Sequence, residues 1–135
     1  KELPRLSRML ANTFGELGNA GDNGEYDLVF DPESKSVVEK NLGRVDFKNQ
    51  FILIDLLHLF LRNPGKVFSK EILVRKVWNQ EYDPSVHDNK IYVTIKRLRQ
   101  LIEPDFNKPK YIFRGKNGYF LNKAAKVLVG NEHVQ

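Results

Sequence analysis

The segment that most limits what this chain can fold into is His87–Glu103, HDNKIYVTIKRLRQLIE. Ile91, Ile95, Leu98 and Ile102 recur at spacings of four, three and four. At about 100° of rotation per residue they fall on one side of an α-helix, where a core must cover them. Asn89, Val93, Lys96, Arg97 and Gln100 fall on the opposite side. Lys90 and Thr94 flank that face on one edge, Tyr92 and Arg99 on the other. The polar face carries what a DNA major groove asks for. Arg or Lys suits guanine O6 and N7, Asn or Gln suits adenine N6 and N7, and a bare methyl pair suits thymine. A solvated amphipathic helix with no partner is the plain alternative, so the neighbouring segments decide.

The charge around the segment is lopsided. Of the net +5, residues 1–85 hold 12 Lys and Arg against 13 Asp and Glu, whereas residues 86–135 hold 10 against 4. A one-sided positive field draws in phosphate backbones or anionic surfaces, and it bears on partners more than on fold. At 135 residues, 41% hydrophobic and 29% charged, the chain has the composition of one globular domain with a sizeable core. It has neither an apolar run of about eighteen residues nor a signal-peptide pattern, so no membrane partner is expected. The cysteine count is 0, which excludes disulfides and thiolate metal sites and suits a reducing cytoplasm, the expected location. The first residue is Lys1 rather than Met, so the chain is expected to be a piece of a longer protein.

Taken in order, residues 1–24 read as a short helix with Leu3, Leu6, Leu10, Phe14 and Leu17 on one stripe, then a Gly- and Asn-rich linker. They are either the tail of an upstream domain or a segment that packs on the domain surface. Tyr26–Phe30 alternates as a half-buried strand, Asp31–Ser34 is turn chemistry, and Ser36–Glu39 returns antiparallel. A turn at 40–43 leads to a third strand, Arg44–Phe47. Phe51–Leu61 is apolar at nine of eleven positions and reads as the buried central helix, with His58 a partly buried structural residue. Asn63-Pro64-Gly65 stops it. Ser69 is a sound N-cap for a second helix ending near Trp78, and a phosphate could sit beside Ser69 and Lys70. Trp78 reads first as core, although its indole N–H could donate to a phosphate.

Asn79–Val86 reads as a loop of about eight residues, longer than the three or four usual between helix–turn–helix partners. After the basic helix, Tyr111–Arg114 and Tyr119–Leu121 are β-prone runs around Gly115-Lys116-Asn117-Gly118. They form a hairpin with Arg114, Lys116 and Asn117 at its tip, suited to an adjacent minor groove. Residues 123–135 read as a loose tail. Adjacent His87 and Asp88 read as caps of the helix they open.

The order of elements is that of a winged helix–turn–helix spanning residues 25–122. This α+β fold has an N-terminal antiparallel sheet, a three-helix core and a C-terminal hairpin wing. The chain resembles the C-terminal DNA-binding domain of OmpR/PhoB-type bacterial transcriptional regulators. The resemblance rests on residues 62–73, RNPGKVFSKEIL, then Val77-Trp78, Tyr82-Asp83-Pro84, residues 92–99, YVTIKRLR, Tyr111-Ile112 and residues 114–119, RGKNGY. It implies that the 87–103 helix enters the major groove and that 111–121 is the wing. Lys96, Arg97 and Arg99 would be groove or phosphate contacts, Val93 and Thr94 base-edge neighbours, Trp78 a phosphate contact and Arg114 the wing arginine. It also implies a second copy on direct-repeat DNA and RNA polymerase as a partner through the 79–86 loop. The segment between Trp78 and Val93 is about two residues longer than is usual in the family, and Asn89 stands where many relatives carry arginine. No phosphoacceptor receiver sequence is included in the chain.

Sequence-specific binding of double-stranded DNA is the function expected. The alternative is a winged helix used for protein–protein contact or dimerisation through the Leu3–Leu17 stripe. An enzyme is the weakest reading. Histidines stand only at 58, 87 and 133, and there is neither a Gly-rich phosphate loop nor a metal-spaced cluster. Catalytic residues, metal and cofactor are therefore not expected.

Overall fold

The computed structural model describes residues 26–130. The expected helix and linker over 1–24 lie outside the described residues, as do the last five positions of the expected tail. The described residues divide into two compact units, one built from residues 26–46 and 124–130, the other from Phe47–Lys123.

The first unit is a four-stranded sheet. Strands β1 (Leu28–Asp31), β2 (Ser36–Glu39) and β3 (Gly43–Val45) are the expected antiparallel meander, paired from Leu28 with Glu39 through Asp31 with Ser36, and from Val37 with Val45. Both turns are held by a buried carboxylate at the strand end. Asp31 accepts from the Glu33 amide (3.0 Å) and the Ser34 hydroxyl (2.7 Å), and Glu39 accepts from the amides of Asn41 (2.7 Å) and Leu42 (2.8 Å). A charge can be buried here because backbone N–H groups satisfy it. Gly43 ends the second turn at φ +80, a left-handed conformation that side chains resist.

Two expectations for this unit need correction. Leu28, Val29, Phe30 and Asp31 are all buried, so both faces of β1 are covered rather than one. The loose tail over 123–135 is also wrong in part. Val127–Val129 forms a further edge strand, parallel to β1, with Leu28 opposite Val127 and Phe30 opposite Val129, giving the order β3-β2-β1 and then this strand. A run of three residues has too little period to announce a strand; the exposed ladder of β1 supplies the template. The Lys126 carbonyl accepts from Asp27 (2.6 Å) and Leu28 (3.2 Å), and the Asp27 carboxylate accepts from the Lys126 amide (2.9 Å).

The second unit is helical with a hairpin. Helix α1 (Phe51–Arg62) buries Leu53, Ile54, Leu56, Leu57, Phe60 and Leu61, as an apolar helix must. Helix α2 (Lys70–Leu73) starts where expected, the Ser69 hydroxyl accepting from the Ile72 amide (3.2 Å), but from Val74 to Trp78 it widens into a π-turn. Asn79 closes that turn in the left-handed conformation, φ 56.

Helix α3 runs from Pro84 to Ile102, three residues earlier than the apolar stripe suggests. Pro84 does not precede the helix but opens it, where its missing N–H costs nothing. Asp83 is the N-cap, accepting from the Ser85 amide (3.0 Å), so His87 and Asp88 do not have that role. The connection from α2 is consequently Asn79–Asp83, shorter than the eight residues expected.

Strands β4 (Ile112–Gly115) and β5 (Gly118–Leu121) form the wing, paired from Ile112 with Leu121 to Gly115 with Gly118. The expected four-residue loop is therefore a two-residue turn, Lys116-Asn117. Phe68 adds a bridge to Tyr119, its amide donating to the Tyr119 carbonyl (2.8 Å) and its carbonyl accepting in return (3.1 Å). Gly118 permits this close pass, since a Cβ there would lie 2.0 Å from the Phe68 carbonyl oxygen.

Candidate nucleic-acid interface

Helix α3 sorts its residues as the periodicity requires. Ile91, Ile95, Leu98 and Ile102 are each at most 2% exposed, while Asn89, Lys90, Tyr92, Lys96, Arg97 and Gln100 are exposed. Val93 is half-buried among them. The outward face thus brings together two amides and three cations. Tyr92, 56% exposed, extends this surface along one edge.

Two expected contacts are placed elsewhere. Thr94 is buried, its hydroxyl donating to the Lys90 carbonyl (2.7 Å), so a base edge cannot reach it as expected. A Thr in a helix commonly spends its hydroxyl on the carbonyl four residues back. Arg99 is half-buried and turns its guanidinium to the wing, where Nε (3.2 Å) and Nη2 (3.0 Å) both donate to the Ile112 carbonyl. It holds β4 rather than projecting outward as a groove contact.

One turn further on, Glu103 completes the same joint, and the sequence reading missed it. Only 4% exposed, its carboxylate accepts from the amides of Lys110 (2.6 Å), Tyr111 (3.1 Å) and Ile112 (2.9 Å). Spacing of four residues puts Arg99 and Glu103 on one edge of α3, where the cation takes the strand's carbonyl and the anion its amides. The wing is thereby fixed to the helix at its base. At the other end, Arg114, Lys116 and Asn117 are exposed around the tip, as expected. The opposite face of the hairpin carries the cross-strand pair Phe113–Phe120, edge to face with centroids 5.7 Å apart.

Trp78 is half-buried at the end of the π-turn, with Lys90 Nζ 5.6 Å from its ring centroid, within cation–π reach. Ser69 caps α2, and Lys70, its side chain 44% exposed, pairs with Asp88 (Nζ–Oδ1 3.3 Å).

That ion pair belongs to a cluster that ties the connection to α3. Tyr82 donates its hydroxyl to Asp88 Oδ1, and its ring stacks on His87, centroids 6.1 Å apart. His87 is buried: Nδ1 accepts from the Asp83 amide (2.9 Å), which leaves the ring proton on Nε2 to donate to Gln80 Oε1 (2.8 Å). The hydrogen bond to Asp88, aided by desolvation and by the nearby carboxylates, pushes the Tyr82 phenol up to about 12. The same bond, with Lys70, holds Asp88 below the usual carboxylate range.

An open recess of about 480 Å3 lies beside the outward face, lined by Gln50, Phe51, Trp78, Lys90, Thr94 and Arg97 among others. Among the described residues there is no cluster of His, Cys, Asp and Glu fit to hold a metal, and no helix long and apolar enough to cross a membrane.

Comparison with known proteins matches this architecture. The family model described as "Transcriptional regulatory protein, C terminal" matches residues 52–121. An uncharacterised transcriptional regulatory protein of Bacillus subtilis, YcbL, is 51% identical over 57 residues, which cover 42% of this chain and 24% of that protein. The chain thus aligns with only a quarter of that relative. Among solved structures, the Klebsiella pneumoniae RstA DNA-binding domain, in complex with the RstA box, superposes with a TM-score of 0.62 at 21% identity, covering 72% of this chain and 92% of that one. DrrB, an OmpR/PhoB homologue from Thermotoga maritima, superposes with a TM-score of 0.59 at 27% identity, over 85% of this chain and 52% of its own.

Proposed function

Because the chain belongs to the transcriptional regulatory protein C-terminal family, we propose that it binds double-stranded DNA sequence-specifically as the reading domain of a bacterial regulator. The observation that carries this is the outward face of α3, where Asn89, Lys96, Arg97 and Gln100 stand exposed above a fully buried isoleucine stripe. In this reading α3 enters the major groove. Arg97 and Gln100 reach base edges, Lys90, Lys96 and Trp78 meet phosphates, and the wing residues Arg114, Lys116 and Asn117 reach the adjacent minor groove. RstA, whose fold the chain shares, was solved with a DNA box and lends support.

The test is a set of duplex-binding titrations across salt concentrations. About six neutralised phosphates give a log–log slope near −5. Arg97→Ala should cost about 1–3 kcal/mol and relax preference at one base pair. An unchanged affinity for that variant would reject the assigned reading face.

The finer partners belong to the same proposal. The Asn79–Asp83 connection is pinned by Tyr82 and His87 while Gln80 and Glu81 stay exposed, a rigid surface suited to RNA polymerase. Glu81→Ala should then lower transcription in vitro at a dependent promoter with duplex affinity unchanged. Action on the chromosome places the protein in the cytoplasm, with a second copy on a direct repeat, which the stoichiometry of binding to tandem sites would reveal. The role is binding, not catalysis.

A further inference from the structure

The recess beside α3 joins residues of that helix to Trp78 and to the head of α1. It is lined by buried Thr94, half-buried Trp78 and Phe51, which is 55% exposed at the start of a helix that buries Leu53, Ile54, Leu56, Leu57, Phe60 and Leu61. Lys90 and Arg97 give it two cations, and none of the residues lining it is acidic. Lys90 leans over the Trp78 ring, 5.6 Å from its centroid, so its charge is held at the recess rather than spread over the surface.

We propose that this recess seats the sugar–phosphate backbone of the bound duplex, which makes Gln50 and Phe51 at the head of α1 part of the DNA interface. The inference rests on the DNA-binding reading of α3. A backbone segment has the two faces that the recess has, an apolar sugar and an anionic phosphate. The deoxyribose packs on Phe51, and the phosphate lies beside Lys90 and the Trp78 ring, while Arg97 at the recess edge is left to reach its base. Such a contact positions the protein on the duplex without reading sequence. It fixes how far α3 is pressed into the groove, because one wall of the recess is α3 itself.

Two substitutions test this in the full chain with a duplex selected for wild-type binding. Gln50→Glu keeps the shape and places an anion in the recess, while an acid at the head of a helix favours the fold, so the melting temperature should hold or rise. Phe51→Ala removes the rim from an already exposed position. Each should weaken duplex binding by about five- to tenfold for all sequences alike, leave base preference intact, and flatten the salt slope by about one for Gln50→Glu. Ethylation interference should show one phosphate that matters to the wild type and not to Phe51→Ala. If the wild type binds and both folded variants match it in affinity and slope, the recess assignment is wrong while the reading of α3 stands. If the wild type binds no duplex at low salt, both fall together.

Discussion

Arg99 and Glu103 spend opposite charges on one joint, the cation on a wing carbonyl and the anion on wing amides. On a wheel Arg99 borders the groove-facing side, and by resemblance it is a DNA contact; in the fold its guanidinium is spent on the Ile112 carbonyl. A helix wheel gives direction but not what stands in that direction, and the wing strand returns from 13 residues away. Arg99→Ala should therefore lower unfolding free energy by about 1–3 kcal/mol in urea titrations. Were it a groove contact alone, the midpoint would stay and only duplex affinity would fall. Glu103→Ala strands the amides of Lys110, Tyr111 and Ile112 in a buried joint and should cost more, about 2–4 kcal/mol. Gly118→Ala should cost about 3 kcal/mol or break the Phe68 bridge outright, which amide exchange at Phe68 would report. The outward placement of Lys96, Arg97 and Gln100 was legible because polarity and period agree. Thr94 was not, since its hydroxyl bonds within its own helix.

Among the elements, α1, the Ser69 cap and the wing were readable from apolar runs, cap chemistry and glycine spacing. The start of α3 was not. Residues 84–86 carry none of the isoleucine stripe, and a proline marks a helix end as readily as the first turn, where Pro84 sits. What holds that start is the Tyr82–Asp88–Lys70 cluster, and its behaviour with pH follows from two shifts of opposite sign. Asp88 is depressed, so its contribution is complete above the ordinary carboxylate range and is lost as pH falls through the folded value. Tyr82 is raised, so its contribution is complete below its usual value of 10.0 and is lost as pH rises through about 12. In an ultraviolet titration the Tyr82 ionisation should move to lower pH in Asp88→Asn than in the wild type; superimposable curves for the two would contradict the cluster.

For the whole molecule, the contrast between nearly neutral residues 1–85 and the basic remainder predicts binding that weakens steeply with salt. The Val127–Val129 strand is the largest feature the sequence did not announce. Removing residues 124–135 should speed amide exchange in β1, the strand that Val127–Val129 pairs with, and leave the β4–β5 wing protected. The pairing of Leu28 with Val127 also sets a timetable. During synthesis the first strand of this sheet leaves the ribosome nearly a hundred residues before its neighbour exists. The Phe47–Lys123 unit, nested between them, has all its partners in hand earlier. The unit that carries α3 and the wing can thus be finished while the sheet still waits for its closing strand. A chain released early would keep α3 and the wing but carry an open edge, inviting association with other chains.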